Sequence, residues 1–396
     1  MKIKTWARLF LAVALVLAGC KGFWNLPSGS GGGGGSGSNS GFFYVANGKT
    51  TEVAGFYFAK GSTSLSAVPN SPYSVGISPV ALAISPNGGF LYASTSAGIF
   101  AYSINSSTGE LTLLNNSQVI SADAAFAMTV DSTGGWLVEA IPGTGTVNAI
   151  PLDSSTGLLL SGASEQTVSL PSGATNVPGL TVTRSGATNS YVFAALGSSG
   201  IAIIPFTSST SGNPFGTVRT ISPKNSNGGD TAIAVDLTHP TLYVGETVAV
   251  SGSNPGGLRM FTIGANSILT EVSGSPYATG GVGPSAILPT TNYVFVANKT
   301  VSTSSGGGGN ITAFGISTTA GTATGLTAVT NGTISAGIGT IGLAEESTGT
   351  YILALNAGGS PDLSAFTIGS TGALTSYATS ATGKDPVVAA AIAAIP

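Results

Sequence analysis

Asp230 and Glu246 are the two residues of this chain best placed for acid–base chemistry. They flank one predicted β-hairpin, Asp230 before its first strand and Glu246 after its second. A carboxylate in such a place can activate water, and a cation or backbone donor beside it can stabilise the oxyanion that forms, which is the chemistry of ester-bond hydrolysis. Other polar residues recur at equivalent positions. Asn47 with Lys49 and Glu52, Glu139, Asn298 with Lys299, and Asn356 follow second strands, whereas Asp123, Lys224, and Lys384 with Asp385 precede first strands. Arg259 begins a third strand just below them. We read Asn47, Lys49, Asp123, Glu139, Arg259, Asn298, Lys299, Asn356, Lys384 and Asp385 as lining a ligand-binding rim.

Other chemistries are poorly served. His239 is the sole histidine, but Asp236-Leu237-Thr238-His239-Pro240 occupies a turn between first and second strands, on the opposite side. With Arg184, Asp131, Glu345 and Glu346, which fall in turns of the same class, it reads as a surface solubiliser. There is one histidine, one cysteine and no Asp-x-Asp-x-Asp-Gly loop, so no metal site and no cofactor is expected. Gly-x-Ser-x-Gly-like stretches lack the strand–turn–helix setting of a nucleophile elbow. Beyond Arg8 the arginines are Arg184, Arg219 and Arg259, a thin supply for a phosphorylated or polycarboxylate substrate.

The elements that must position these residues announce themselves by repetition. ALAISPNGGFLYA (81–93), AIAVDLTHPTLYV (232–244) and SAILPTTNYVFVA (285–297) are each an apolar alternating run, a turn of small or polar residues, and a second apolar run. Taking Tyr44, Tyr92, Val138, Phe193, Tyr243, Phe295 and Leu353 as second-strand landmarks gives seven copies. They are spaced by roughly 45–60 residues, as in propeller blades. IFAYSINSSTGELTLL (99–114), LRMFTIGANSILTEV (258–272) and LSAFTIGSTGALTSY (363–377) supply third and fourth strands. The fold class that follows is all-β, a seven-bladed propeller of four-stranded antiparallel blades over 42–396. The domain opens at Phe42 with a second strand and ends on DPVVAAAIAAIP, which matches the first-strand phrase. The C-terminal strand is therefore expected to complete the N-terminal blade, leaving no free sheet edge.

Composition narrows the partners. Only 7% of residues are charged and the formal net charge is −3, with no basic cluster, which excludes nucleic-acid binding. Lys2, Lys4 and Arg8 precede an apolar stretch, Leu9 to Ala18, too short for a membrane span of about 20 residues. It ends in Leu-Ala-Gly-Cys20, which resembles the lipobox of bacterial lipoproteins. That resemblance implies a signal peptide over 1–19, lipidation of Cys20, and attachment to the cell envelope through a lipid anchor. Lys21 then favours the outer membrane. Residues 20–41, with SGSGGGGGSGSNSG, form a flexible tether.

The pattern Gly-x-Pro…Ala-Ile-Ser-Pro-Asn-Gly…Leu-Tyr-Val-Ala-Asn, with linkers such as Gly274-Ser275-Pro276-Tyr277, resembles the lactonase-family seven-bladed propellers. That family takes in 6-phosphogluconolactonase-like proteins and cyclases and merges into YVTN-repeat surface proteins. Two readings of the rim follow. The tether, the anchor and the charge-poor Gly/Ser-rich loops favour a monomeric binding scaffold for an envelope protein or glycan. The resemblance implies the alternative, a lactone hydrolase or related cyclase using rim carboxylates, Asp230 and Glu246 first among them. The second reading requires charged groups converging near one mouth, with at least one perturbed carboxylate. The first requires a broad neutral or apolar rim patch.

Overall fold

The structure, a computed structural model, describes residues 40–48, 50–59, 64–183, 190–208, 212–236, 238–252, 255–301, 308–358, 361–380 and 392–395. Cys20, the tether before residue 40, Lys49, Arg184, Lys384 and Asp385 lie outside the described residues.

Seven antiparallel sheets follow one another along the chain. Blade two is representative: Pro79–Ile84 pairs with Phe90–Thr95, which pairs with Gly98–Ile104, which pairs with Leu111–Leu113. Second strands are buried on both faces, as Phe90–Thr95 and Tyr351–Asn356 show, because a neighbouring blade covers each face. Blade one is built from both ends of the chain. Ile392–Ala394 lies antiparallel to Ser40–Asn47, with Tyr44 opposite Ala393, so the C-terminal strand supplies the innermost position as expected.

The core is divided among the blade interfaces. Seven apolar clusters each draw side chains from two consecutive blades. One of them joins Phe43, Val45 and Phe56 of blade one to Leu353, Leu355 and Leu363 of blade seven, and this cluster closes the ring. Each fully buried aromatic or aliphatic side chain contributes roughly 1.5–3 kcal/mol, so no single interface dominates.

Ser-Thr-Gly triplets staple neighbouring blades. Gly109, Gly157 and Gly372 end the triplets at 107–109, 155–157 and 370–372, each with positive φ. A Cβ at these glycines would meet the ring of Phe42 at 2.3 Å, of Phe90 at 2.3 Å and of Tyr293 at 2.2 Å, respectively. Each turn thus covers an aromatic of the preceding blade. Gly157→Ala is expected to destabilise by about 2–4 kcal/mol, combining left-handed strain with a displaced ring. Gly162→Ala has the same strain in open space and should cost only about 1 kcal/mol; urea unfolding of the two variants checks the difference.

The turns between first and second strands correct the sequence reading. Asp131, His239 and Glu346 are not surface solubilisers: they are 1%, 9% and 1% exposed. Asp131 accepts the backbone N–H of Trp136 at 2.8 Å and the Thr133 hydroxyl at 2.6 Å. Asp236 accepts the N–H groups of Thr238 and His239 at 2.7 and 3.0 Å and pairs with His239 Nδ1 at 2.9 Å. Glu346 accepts the N–H of Thr348 at 3.0 Å. A tight turn leaves N–H groups that need partners, and these side chains supply the acceptors. Glu345, beside Glu346, is half-buried.

Candidate functional site

In blades five, six and seven the second strand ends in a side chain that grips the connector entering its blade. In blade six, Asn298 donates to Thr279 O at 3.1 Å and Asn310 Oδ1 at 2.8 Å, and accepts the Thr279 hydroxyl at 2.8 Å. In blade seven, Asn356 donates to Ala336 O and Pro361 O, both at 3.0 Å, and accepts the Thr340 hydroxyl at 2.8 Å. Asn47 holds the corresponding position in blade one and is also buried. Asn298 and Asn356 therefore face inward and hold the scaffold, whereas Lys299 beside Asn298 is exposed.

Blade five places Glu246 at that position, with Asp230 directly across the ladder. Glu246 accepts the backbone N–H groups of Lys224 at 2.8 Å and Asn225 at 2.9 Å, gripping the connector as the asparagines do. Gly228 lies against it: a Cβ there would come within 2.5 Å of Glu246 Oε1. Alternation along the third strand, Gly257–Ile263, puts Arg259 on the face it shares with Phe261, toward blade four. The guanidinium stacks 4.8 Å from the Phe261 ring centre. It donates through Nε and Nη2 to Glu271 at 3.3 Å and through Nη1 to Ser222 O at 3.1 Å. Arg259 Nη1 lies 3.6 Å from Glu246 and 4.0 Å from Asp230. Lys224 pairs with Glu271 at 3.3 Å.

Asp230 is the exceptional member. It is wholly buried, and neither carboxylate oxygen has a hydrogen-bond partner. Burial, then the charge of Glu246, pushes its pKa up to about 7, with Arg259 opposing and Glu271 adding to the rise. With Asp230 protonated, Arg259 and Lys224 balance Glu246 and Glu271. Burial alone would raise Glu271, but its bonds to Arg259 and Ser275 and the charge of Lys224 hold it below the usual range. Glu271 is absent from the sequence-based candidates, although alternation in Leu269-Thr270-Glu271 places it on the inner face with Leu269.

A second charged cluster sits at the equivalent end of the interface between blades two and three. Glu139, in Trp136–Ala140, pairs across the ladder with Asn148, on the face that Leu137 and Ile150 turn toward blade two. Asp123 arrives from the connector between those blades, and Glu165 from the segment before Gln166–Ser169. One oxygen of each carboxylate lies within 4.8 Å of the others. Glu139 is wholly buried and neither of its oxygens has a hydrogen-bond partner. Burial, then the neighbouring Asp123, pushes its pKa up to about 9, and the Asn148 side chain opposes the rise. Burial and Asp123 push exposed Glu165 up to about 7. Asp123 goes the other way: burial would raise it, but the proximity of Glu139 and the bond from the Ser121 hydroxyl at 2.9 Å hold it low. Glu165 sits in a polar turn, Ser-Gly-Ala-Ser-Glu-Gln, that carries no periodic signal.

Elsewhere, a recess of about 290 Å³ between blades six and seven, lined by Ala336, Pro361, Ser364 and Phe366, shares no residue with either cluster.

Seven four-stranded blades closed by the C-terminal strand, with charged clusters capping two apolar interfaces, define a seven-bladed propeller with perturbed carboxylates near one rim. The chain belongs to the family described as Lactonase, 7-bladed beta-propeller, whose model matches residues 42–390. No curated protein matches it. Among solved structures it is similar to a putative 6-phosphogluconolactonase from Bacteroides fragilis NCTC 9343, with 16% identity and a TM-score of 0.67 over 92% of this chain and 100% of that one. It is also similar to the periplasmic gluconolactonase of Pseudomonas aeruginosa, with 15% identity and a TM-score of 0.62 over 90% and 99% of the two chains. At these identities the structural likeness is one of fold.

Proposed function

We propose that the protein hydrolyses a lactone, with Asp230 as general base and Arg259 as the cation facing the developing oxyanion. The observation that supports this reading is the Asp230 carboxylate itself, buried without a hydrogen-bond donor, 4.0 Å from a guanidinium, in a chain of the Lactonase family. A base whose pKa lies near 7 is matched to neutral pH. Glu246 acts as a positioning residue, keeping the connector and the charge beside Asp230 in place. Because both carboxylates are closed off from solvent, substrate entry requires Lys224–Gly229 to lift away from Glu246. Arg259 and Lys224 are already paired with carboxylates, so neutral lactones suit the site better than phosphorylated ones.

The binding-scaffold reading has less behind it, since its requirement of a neutral or apolar rim is not what the two charged clusters suggest. The lipobox-like Leu-Ala-Gly-Cys20 supports an envelope location for the enzyme. The test is lactone hydrolysis by the full-length protein across neutral sugar-acid lactones and phosphorylated ones, corrected for spontaneous opening. Turnover of neutral lactones that is lost in Asp230→Asn is the expected result. A flat panel with folded protein, or an Asp230→Asn variant of full activity, overturns the assignment.

A further inference from the structure

We propose that Asp123, Glu139 and Glu165 form a divalent-cation site, and that Ca2+ is the ion it takes. The inference is independent of the hydrolase reading, because it concerns a different blade. It begins with a comparison of the two charged clusters. Both cap the rim end of an apolar blade interface and both place an unpartnered carboxylate at the bottom. Blade five supplies its own counter-cations, Arg259 and Lys224. Blade three supplies none: among the described residues, no ion pair involves Asp123, Glu139 or Glu165. A concentration of carboxylates without a cation is unfavourable in a low-dielectric setting, and a bound metal ion removes that cost.

The buried end of the cluster points to a ligand on its own account. Glu139 is wholly buried with both oxygens free of hydrogen bonds, and it lies within the 4.8 Å set formed with Asp123 and Glu165. Directly across the ladder, Asn148 is also buried and its Oδ1 is likewise unpartnered, which offers a fourth oxygen. Native proteins leave few buried acceptors unsatisfied, and two side chains on one face doing so mark a missing partner. A cation meets this need directly, because it accepts electron pairs from the ionised carboxylates and from the amide oxygen alike.

The chemistry of the set selects the ion. Carboxylate and amide oxygens are hard ligands that suit Ca2+ or Mg2+ rather than Zn2+ or copper. Two oxygens at a Ca2+ distance of roughly 2.3–2.6 Å can stand up to about 5 Å apart, whereas at the Mg2+ distance of about 2.1 Å they are limited to about 4.2 Å. The 4.8 Å bound on the set lies inside the Ca2+ limit, and the larger ion's tolerance of irregular geometry suits ligands drawn from three separate segments. The half-buried Asp123 and exposed Glu165 give the ion a route from solvent. Once bound, it would tie the connector after blade two to the second strand and outer segment of blade three.

The experiment is calorimetric titration of CaCl2 into EDTA-stripped, full-length protein, with thermal melts in Ca2+ and in Mg2+ at equal ionic strength. The expected result is one Ca2+ per chain with a Kd of about 0.1–1 mM, the range of extracellular modules, and a Tm that rises with Ca2+ more than with Mg2+. Glu165→Gln, at an exposed position, should fold normally and weaken binding at least tenfold, and Glu139→Gln should abolish it. Should Glu139→Gln not fold, Asp123→Asn provides the second variant. The proposal is overturned by no heat and no Tm change up to 10 mM Ca2+, by equal responses to the two ions, or by binding that Glu165→Gln and Asp123→Asn leave unchanged.

Discussion

Asp230→Asn is expected to reduce lactone turnover by about 10²–10⁴-fold, the usual contribution of a positioned general base, while making the protein more resistant to unfolding at alkaline pH. The two effects share one cause. Burial and Glu246 hold the Asp230 pKa near 7 in the folded state, against an ordinary value of 3.8. Below pH 3.8 the group is protonated in both folded and unfolded chains and has no effect on stability. Between that pH and 7 the unfolded chain releases the proton and the folded one retains it, so stability falls as pH rises; above 7 the loss levels off. The full loss is on the order of 4 kcal/mol, from about three pKa units. Asparagine cannot ionise, so the stability of the variant relative to the parent should climb across pH 4–8 and then stay flat. Urea unfolding at a series of pH values measures this directly, and a variant whose stability runs parallel to the parent's would remove the basis for the raised pKa. In the parent, turnover should increase through pH 7 as Asp230 ionises. The form of Asp230 that acts as base is thus the form that weakens the fold, a conflict common at functional sites.

Arg259→Met should lower stability by about 3–5 kcal/mol, because truncating one side of a buried ion network leaves the opposite charges uncompensated. Glu246 loses the cation 3.6 Å from it, and Glu271 keeps only Lys224, on the more exposed side. Methionine fills the space against Phe261, so the effect is mainly electrostatic rather than a cavity. The destabilisation should be greater above pH 7 than below it, because Asp230, with its pKa pushed up to about 7, then adds its charge to the uncompensated set. Arg259→Lys retains the charge but not the paired donation to Glu271 and should recover only part of the loss. A change below about 1 kcal/mol at pH 8 for Arg259→Met would mean that the network contributes little to the fold.

The amino-acid sequence determined the architecture by itself. Each hairpin is specified locally, by alternation of apolar residues and by turn residues such as Ser85-Pro86-Asn87-Gly88. Seven copies of one local rule can be counted without knowing how they pack. The closing strand was legible for the same reason, because Ile392–Ala394 lies in a first-strand phrase that the N-terminal blade lacks. Asp230 and Glu246 likewise read as flanking one hairpin; the strands extend to include both, and their pairing across the ladder follows from local register.

What each polar residue does was decided only by the tertiary structure. Alternation says which face of a strand a side chain occupies, but not whether a neighbouring blade covers that face or which donors arrive with it. Asn298 and Asn356 therefore read as rim ligands, although chain segments from outside their hairpins occupy both amides. Asp131, His239 and Glu346 read as solvated turn residues, although all three are buried, Asp131 and Glu346 supplying acceptors to their turns and His239 pairing with the Asp236 carboxylate. The charged clusters depend still more on assembly. Glu271 comes from a fourth strand, Asp123 from a connector between blades and Glu165 from a polar turn, so no contiguous motif announces either group. A carboxylate's pKa depends on burial and on charges within a few ångströms, and those neighbours are assembled only when the blades pack.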